Sequence, residues 1–153
     1  MILAIDPGNE QSAFVLLDNQ LKPKRFAILP NEEILDVIAG TTMSYPYLHI
    51  AIEMIASYGM AVGRTVFDTC VWIGRFQQEA HPAEVTLIYR KDEKMVLCGN
   101  TKAKDANIRQ ALIDRFGVVG TKAQPGWFYG FRKDIWASYA VAVAYHDLYL
   151  KEE

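Results

Sequence analysis

The sequence predicts an α/β protein: a five-stranded mixed sheet, three antiparallel strands followed by two parallel ones, flanked by helices. Three observations carry that expectation. The first thirty residues hold three apolar runs broken by short turns, the pattern of an antiparallel meander. Two later apolar runs, 47–53 (YLHIAIE) and 84–89 (EVTLIY), stand either side of a long helical stretch, so they should pair in parallel through a right-handed crossover. Further helical segments follow the second of them.

Residues 1–6, 12–18 and 24–29 are the meander strands, with Gly8-Asn9-Glu10 and Asn19-Gln20 as turns. Asn31 suits the N-cap of a helix through Ala39, with Glu32 and Glu33 in its first turn and Gly40 as its stop. Strand 47–53 is apolar on both faces and ends in Glu53. A helix is expected from Gly59 to Glu79, and another over 103–116, where Ile108, Ala111, Leu112 and Phe116 form one stripe. Residues 117–131, rich in Gly, Pro and aromatics, read as a loop, and the last helix runs from Asp134 to Tyr149. No repeat, low-complexity tract or linker divides the chain, so residues 1–153 are expected to form one domain.

Apolar residues make up 51% of the 153 residues and charged ones 22%, a globular composition. The net charge of −2 does not by itself point to nucleic acid. Its distribution is uneven: between Arg90 and Lys133 ten Lys/Arg face four acids, a local +6 that would form a basic face. Lys91, Lys94, Lys102, Lys104 and Arg109 belong to that stretch and are candidate phosphate contacts. Cys70 and Cys98 lie in apolar contexts without a CxxC pair and read as buried free thiols. There is no basic leader and no apolar run of about 18 residues, so a cytosolic protein without a membrane partner is expected.

The chemistry is expected from carboxylates. Asp6 ends the first strand beside the Pro7-Gly8 turn, and Glu53 ends the fourth. If those strands are neighbours, both acids emerge on one rim. Asp134 opens the final helix. Each has a plainer reading: a turn residue for Asp6, a solvated strand end for Glu53, an N-cap for Asp134. Together they would make an oxygen-rich site suited to Mg²⁺ or Mn²⁺. Lys133, next to Asp134, is positioned to contact a phosphate or developing charge. Tyr58 and Met60, after Glu53, could stack on or wedge into distorted DNA. Packing of a second subunit against the 59–79 helix is the alternative for that region, favoured for Val62, Val66 and Val71. Trp127, Phe128, Tyr129 and Phe131, interspersed with Gly126 and Gly130, suggest either core or a movable lid.

The opening IDPG followed by a strand, the AIE ending the fourth strand, and the final D-x-x-x-S-x-A-V-A-V-A helix resemble the RuvC-type Holliday junction resolvases of the ribonuclease H-like superfamily. The CGNTKAKDANIRQAL stretch resembles that family's Gly-Asn loop and lysine before a helix. The EMIASYGM and CVWIGRF stretches and the chain length look closest to small RuvC-like proteins of bacteriophages. The resemblance implies a ribonuclease H-like fold and a metal-dependent endonuclease that cuts branched DNA, four-way junctions first. It implies in-line attack by a metal-activated water, leaving 3′-hydroxyl and 5′-phosphate ends, with two Mg²⁺ per site and Mn²⁺ able to substitute. Asp6, Glu53 and Asp134 fall on three of the acidic ligands, with Asp6 bridging the ions. Lys102 and Lys104 fall where the family holds DNA, and a two-fold homodimer is the expected assembly.

One position departs from the family. Its fourth acid, one turn into the last helix, aligns with Ala137, with Ser138 alongside, and neither is a carboxylate. That position falls to water, to Ser138 or to a residue elsewhere. Asp147, thirteen residues beyond Asp134, lies about 20 Å along a helix and is too far; His146 fails likewise. Three alternatives remain open: a nuclease acting on flaps or RNA–DNA hybrids, a catalytically weak structure-specific DNA-binding protein, and an actin-like nucleotide-binding domain. Length argues against the last, which needs two lobes.

Overall fold

The computed structural model describes residues 1–151. Five strands form one sheet: β1 (Ile2–Asp6), β2 (Gln11–Leu17), β3 (Pro23–Pro30), β4 (His49–Met54) and β5 (Val85–Tyr89). Their order is β3-β2-β1-β4-β5. β1, β2 and β3 pair antiparallel, whereas β4 runs parallel to both β1 and β5. This is the expected mixed sheet and the ribonuclease H-like α/β fold.

Five helices surround it: α1 (Asn31–Ser44), α2 (Arg64–Ala80), α3 (Arg90–Cys98), α4 (Asp105–Phe116) and α5 (Ile135–Tyr145). One sheet face carries Leu3, Ile5, Phe14, Ile50 and Ile52 and packs on Ile34 and Ile38 of α1 and Ile73 and Phe76 of α2. The other carries the small residues Ala4, Ala13 and Ala51, over which α5 lies. A floor of alanines lets a helix axis approach the sheet closely, and α5 is built to match. Every residue from Ser138 to Tyr145 is buried, so the helix is apolar all round and serves as core.

Several boundaries differ from expectation, each for a physical reason. Asn31 is not the cap of α1; Pro30 holds that position and Asn31 is the first, fully buried, helical residue. Its side chain is used elsewhere. Nδ2 donates to the Gly8 carbonyl at 2.9 Å, and Oδ1 accepts from the Ser12 hydroxyl at 2.6 Å, which in turn accepts from the Gly8 N–H. Asn31 thus pins the hairpin after Asp6. Gly8 completes that turn, since a Cβ there would overlap the Gln11 carbonyl. Asn31→Ala leaves the Gly8 carbonyl unpartnered at a part-buried site and should cost about 1–3 kcal/mol. Thermal unfolding should show Tm lower by roughly 2–4 °C per kcal/mol lost; an unchanged Tm would mean the pin is idle.

Gly40 does not stop α1, because Ile34, Val37, Ile38 and Thr41 bury one continuous face and outweigh a glycine cost of about 1 kcal/mol. α2 starts at Arg64 rather than Gly59, after Tyr58 and Gly59 turn the chain through positive φ. Val62 therefore precedes the helix. α4 starts at Asp105 rather than 103, and after α5 the chain continues as a π-helical turn over His146–Leu150. α3 has no counterpart in the sequence pattern: RKDEKMVLC is too charged to show helical periodicity, yet it closes on Gly99 in a left-handed C-cap. Cys70 and Cys98 are free as expected but only half-buried.

Of the two readings for 127–131, core holds for Phe128 and Phe131, although Tyr129 between them stays exposed. Phe128 and Phe131 are buried, with Phe128 edge-on to Phe116 and Tyr139 and tilted against Trp136. Trp127 Nε1 donates to the Tyr139 hydroxyl, which donates to the Leu21 carbonyl. Rings locked in this way leave nothing to swing.

Candidate active site

The β1–β4 register decides the site. Ile5 pairs with Ile52, so Asp6 and Glu53, the next residue on each strand, stand side by side at one rim. By strand alternation they continue the Ala4 and Ala51 rows and face the α5 side of the sheet. The N-terminus of α5 lies on that side, and Asp134 occupies its N-cap position without making a side-chain capping bond. Its carboxylate is left free for other partners. The positive end of the α5 dipole also favours acids there.

A fourth acid joins them that sequence reasoning missed. Glu93, one turn into α3, has no exposed surface. Neither of its oxygens, nor Glu53 Oε1, accepts a hydrogen bond from an N–H or hydroxyl group; the Glu93 and Asp6 carboxyls instead lie close against that of Glu53. The signal for Glu93 existed in the sequence only if 90–98 is read as a helix. Glu93 and Leu97 then share a face one turn apart, and Leu97 packs on the core.

These acids perturb one another. Burial, then the Glu53 charge, then Asp134 raise Asp6 to about 9, against a lowering by Arg90. Burial, followed by Glu53, raises Glu93 to about 11. Arg90 is the local counter-charge: its guanidinium lies 3.9 Å from Glu53 Oε1 and also pairs with Asp105 at the start of α4. One arginine therefore ties β4 to α4 across the mouth of the site.

Beside the acids is a cavity of about 210 Å³ lined by Arg90, Glu93, Arg109, Lys133, Asp134 and Ala137, among others. Arg109 stacks over the Trp136 ring at 5.0 Å. Lys133 is exposed and held in the left-handed region at φ 47°, a conformation that non-glycine residues seldom adopt. A second opening of about 360 Å³ is lined by Tyr58, Arg90, Lys91, Lys94 and Thr101, and a third by Glu53, Met54, Tyr58 and Arg90 with their neighbours. Arg90 borders all three, so the acids open onto a basic, aromatic-edged surface. Lys102 and Lys104 are exposed near the start of α4 and line none of these openings. Ser138 is buried and donates to the Ile135 carbonyl at 2.8 Å, so its hydroxyl is committed inside the helix. Asp147 is held by both guanidinium nitrogens of Arg115 at 2.7 and 3.0 Å.

Among the described residues, no three Asp, Glu, His or Cys side chains close around a point tightly enough to hold a cation as they stand. The donor set nevertheless fits a hard divalent ion. It is all carboxylate oxygen, and three of those oxygens, Glu53 Oε1 and both of Glu93, are buried without an N–H or hydroxyl donor, a costly state that a cation would relieve.

The sheet order and the helices that flank it are those of the ribonuclease H-like α/β fold. No protein-family model matches the chain, and no curated protein matches it in sequence. Among solved structures it is similar to Thermus thermophilus RuvC, with a TM-score of 0.67 and 13% identity over 95% of this chain and 93% of that one. It is also similar to T. thermophilus RuvC in complex with a Holliday junction substrate, with a TM-score of 0.65 and 13% identity over 96% and 93%. At that identity the likeness establishes the RuvC-like fold.

Proposed function

We propose that this chain is a single-domain, metal-dependent endonuclease of branched DNA, most directly a four-way junction resolvase of the small phage RuvC-like kind. The observation that carries the reading is the packing of Asp6, Glu53 and Glu93 under one another's charge, with Asp134 near Asp6, at a rim that opens onto basic cavities. The fold's solved neighbour bound to a Holliday junction substrate makes junction DNA the first substrate to try.

Asp6, Glu53 and Asp134 would hold Mg²⁺, with Mn²⁺ able to substitute. Bound there, a pair of such ions would supply an activated water and charge stabilisation for a phosphodiester leaving oxygen. Asp6 suits the central ligand because it feels both Glu53 and Asp134. The protein's own groups would do the rest. Lys133 and Arg109 border the cavity and would draw the cut strand's phosphate toward the acids. Lys91, Lys94, Lys102 and Lys104 would hold flanking backbone. Tyr58, 63% exposed in the loop after β4, would stack on unpaired bases at the branch point. Two copies would be needed to cut two symmetric strands. The apolar side chains Phe67 and Val71, one turn apart on α2 and 60% and 63% exposed, support a dimer through that helix.

Cleavage of labelled four-way junction, flap, RNA–DNA hybrid and linear duplex with Mg²⁺ or Mn²⁺ tests the reading. Paired cuts near the junction centre, with little cutting of linear duplex, are expected. Preference for flap or hybrid would replace the substrate. Tight junction binding with no cutting under either ion would make the chain a structure-specific binding protein.

A further inference from the structure

Glu93 has no task in the fold. Its carboxyl group has no exposed surface, no N–H or hydroxyl group donates to either oxygen, and its closest polar neighbour is the Glu53 carboxyl, an arrangement that is costly in a core unless the two acids share a proton or a cation. An apolar residue would fill the same place on α3 at no such cost. Arg90, on the same helix, does not serve as its partner, since that guanidinium pairs with Glu53 and Asp105. Glu93 instead lines the cavity that also holds Asp134 and Ala137. α3 lies against α5, Glu93 faces the Glu53 and Asp6 carboxyls, and it shares its cavity with Asp134 and with Ala137, whose methyl group offers no ligand there.

We infer that Glu93 is a metal ligand of this site, supplying from α3 the carboxylate that α5 lacks at Ala137. This assignment rests on the metal-dependent reading of the site and adds a residue to it. The buried oxygens are the reason: they have no partner among the protein's own donors, and a divalent cation between Glu53 and Asp134 would give them one. The site would then draw ligands from β1, β4, α3 and α5, and α3 would be part of the metal centre rather than a connector after β5.

The test is Mn²⁺ binding by the whole, DNA-free protein, followed calorimetrically for wild type, Asp6→Asn, Glu93→Gln and the double variant Glu93→Gln/Ala137→Asp. Loss of an outer-shell partner alone weakens metal affinity ~10–100-fold, so loss of a direct ligand should cost at least about tenfold. Glu93→Gln should therefore weaken Mn²⁺ at least about tenfold or remove one ion from the stoichiometry. Its metal-free Tm should be no lower than wild type, because the amide replaces an acid to which no N–H or hydroxyl group donates. Ala137→Asp in the double variant should restore binding from α5. Unchanged Mn²⁺ affinity and stoichiometry in Glu93→Gln, with binding lost in Asp6→Asn, overturns the role of Glu93 and leaves the nuclease reading standing. If wild type binds no Mn²⁺ that Asp6→Asn abolishes, the metal-dependent reading itself fails.

Discussion

Asp6→Asn and Glu53→Gln are each expected to abolish junction cleavage while junction binding in the absence of Mg²⁺ stays within a few-fold of wild type. Both acids sit at the end of paired parallel strands, where the backbone fixes their placement. An amide has the same shape but offers no anionic ligand. Removing one preorganised electrostatic element from a reacting site costs ~10²–10³ in rate, and a ligand shared between ions should cost at least that. Asp6→Asn should also fold, because the half-buried Asp6, raised to about 9, is held as a neutral acid at neutral pH in the metal-free protein. Asparagine closely mimics that neutral acid. Gel cleavage and mobility-shift assays on one junction read both quantities. Cleavage that survives Asp6→Asn would place the reacting centre elsewhere.

The second large effect is on stability against pH. Asp6 and Glu93 are raised from ordinary values of 3.8 and 4.5 to about 9 and about 11, burial being the first cause in each. Above pH 5 the unfolded chain has released these protons while the native protein still holds them. The native state therefore binds more protons, and stability must fall as pH rises toward the folded values. Each tenfold difference in proton affinity between the two states is worth about 1.4 kcal/mol, so a loss of several kcal/mol between pH 5 and 8 is expected. At roughly 2–4 °C per kcal/mol for a chain of this size, that is a Tm drop on the order of 10 °C for chelator-treated protein. On the proposed reading Mg²⁺ would take the place of those protons, so it should raise Tm more at pH 8 than at pH 5. A metal-free Tm that is flat or rising over this range would show that the acids are not held as neutral groups.

The sheet was legible because it obeys simple periodicities. The apolar runs around the Pro7-Gly8 and Asn19-Gln20 turns favour the meander, 47–53 is apolar on both faces and forms the inner strand β4, and 84–89 pairs beside it as the edge strand β5. Asp6, Glu53 and Asp134 were legible as strand-end and helix-start acids. Helix ends were less so, because burial overrode local preference at Gly40 and left-handed residues delayed α2. α3 was hidden by its own charge, and with it Glu93. A run such as RKDEK reads as a solvated surface, and only the tertiary contact with α5 turns one of its acids inward. At 127–131 the glycines suggested a lid as the alternative to core, but Phe128 and Phe131 are used as core.

The alanine floor under α5 divides the site into two mechanical parts. Asp6 and Glu53 ride on strands whose separation is set by the hydrogen-bond ladder, about 4.8 Å, and Asp134 on a helix pressed onto Ala4, Ala13 and Ala51 with no room to slide. Glu93 rides on a nine-residue helix whose only fully buried residue is itself. Three acids are thus placed by the sheet and the helix packed on it, and the fourth by a short helix that buries little else. Any adjustment the site makes as it fills and empties should run through α3, and amide exchange there should respond to Mg²⁺ while β1 and β4 stay silent.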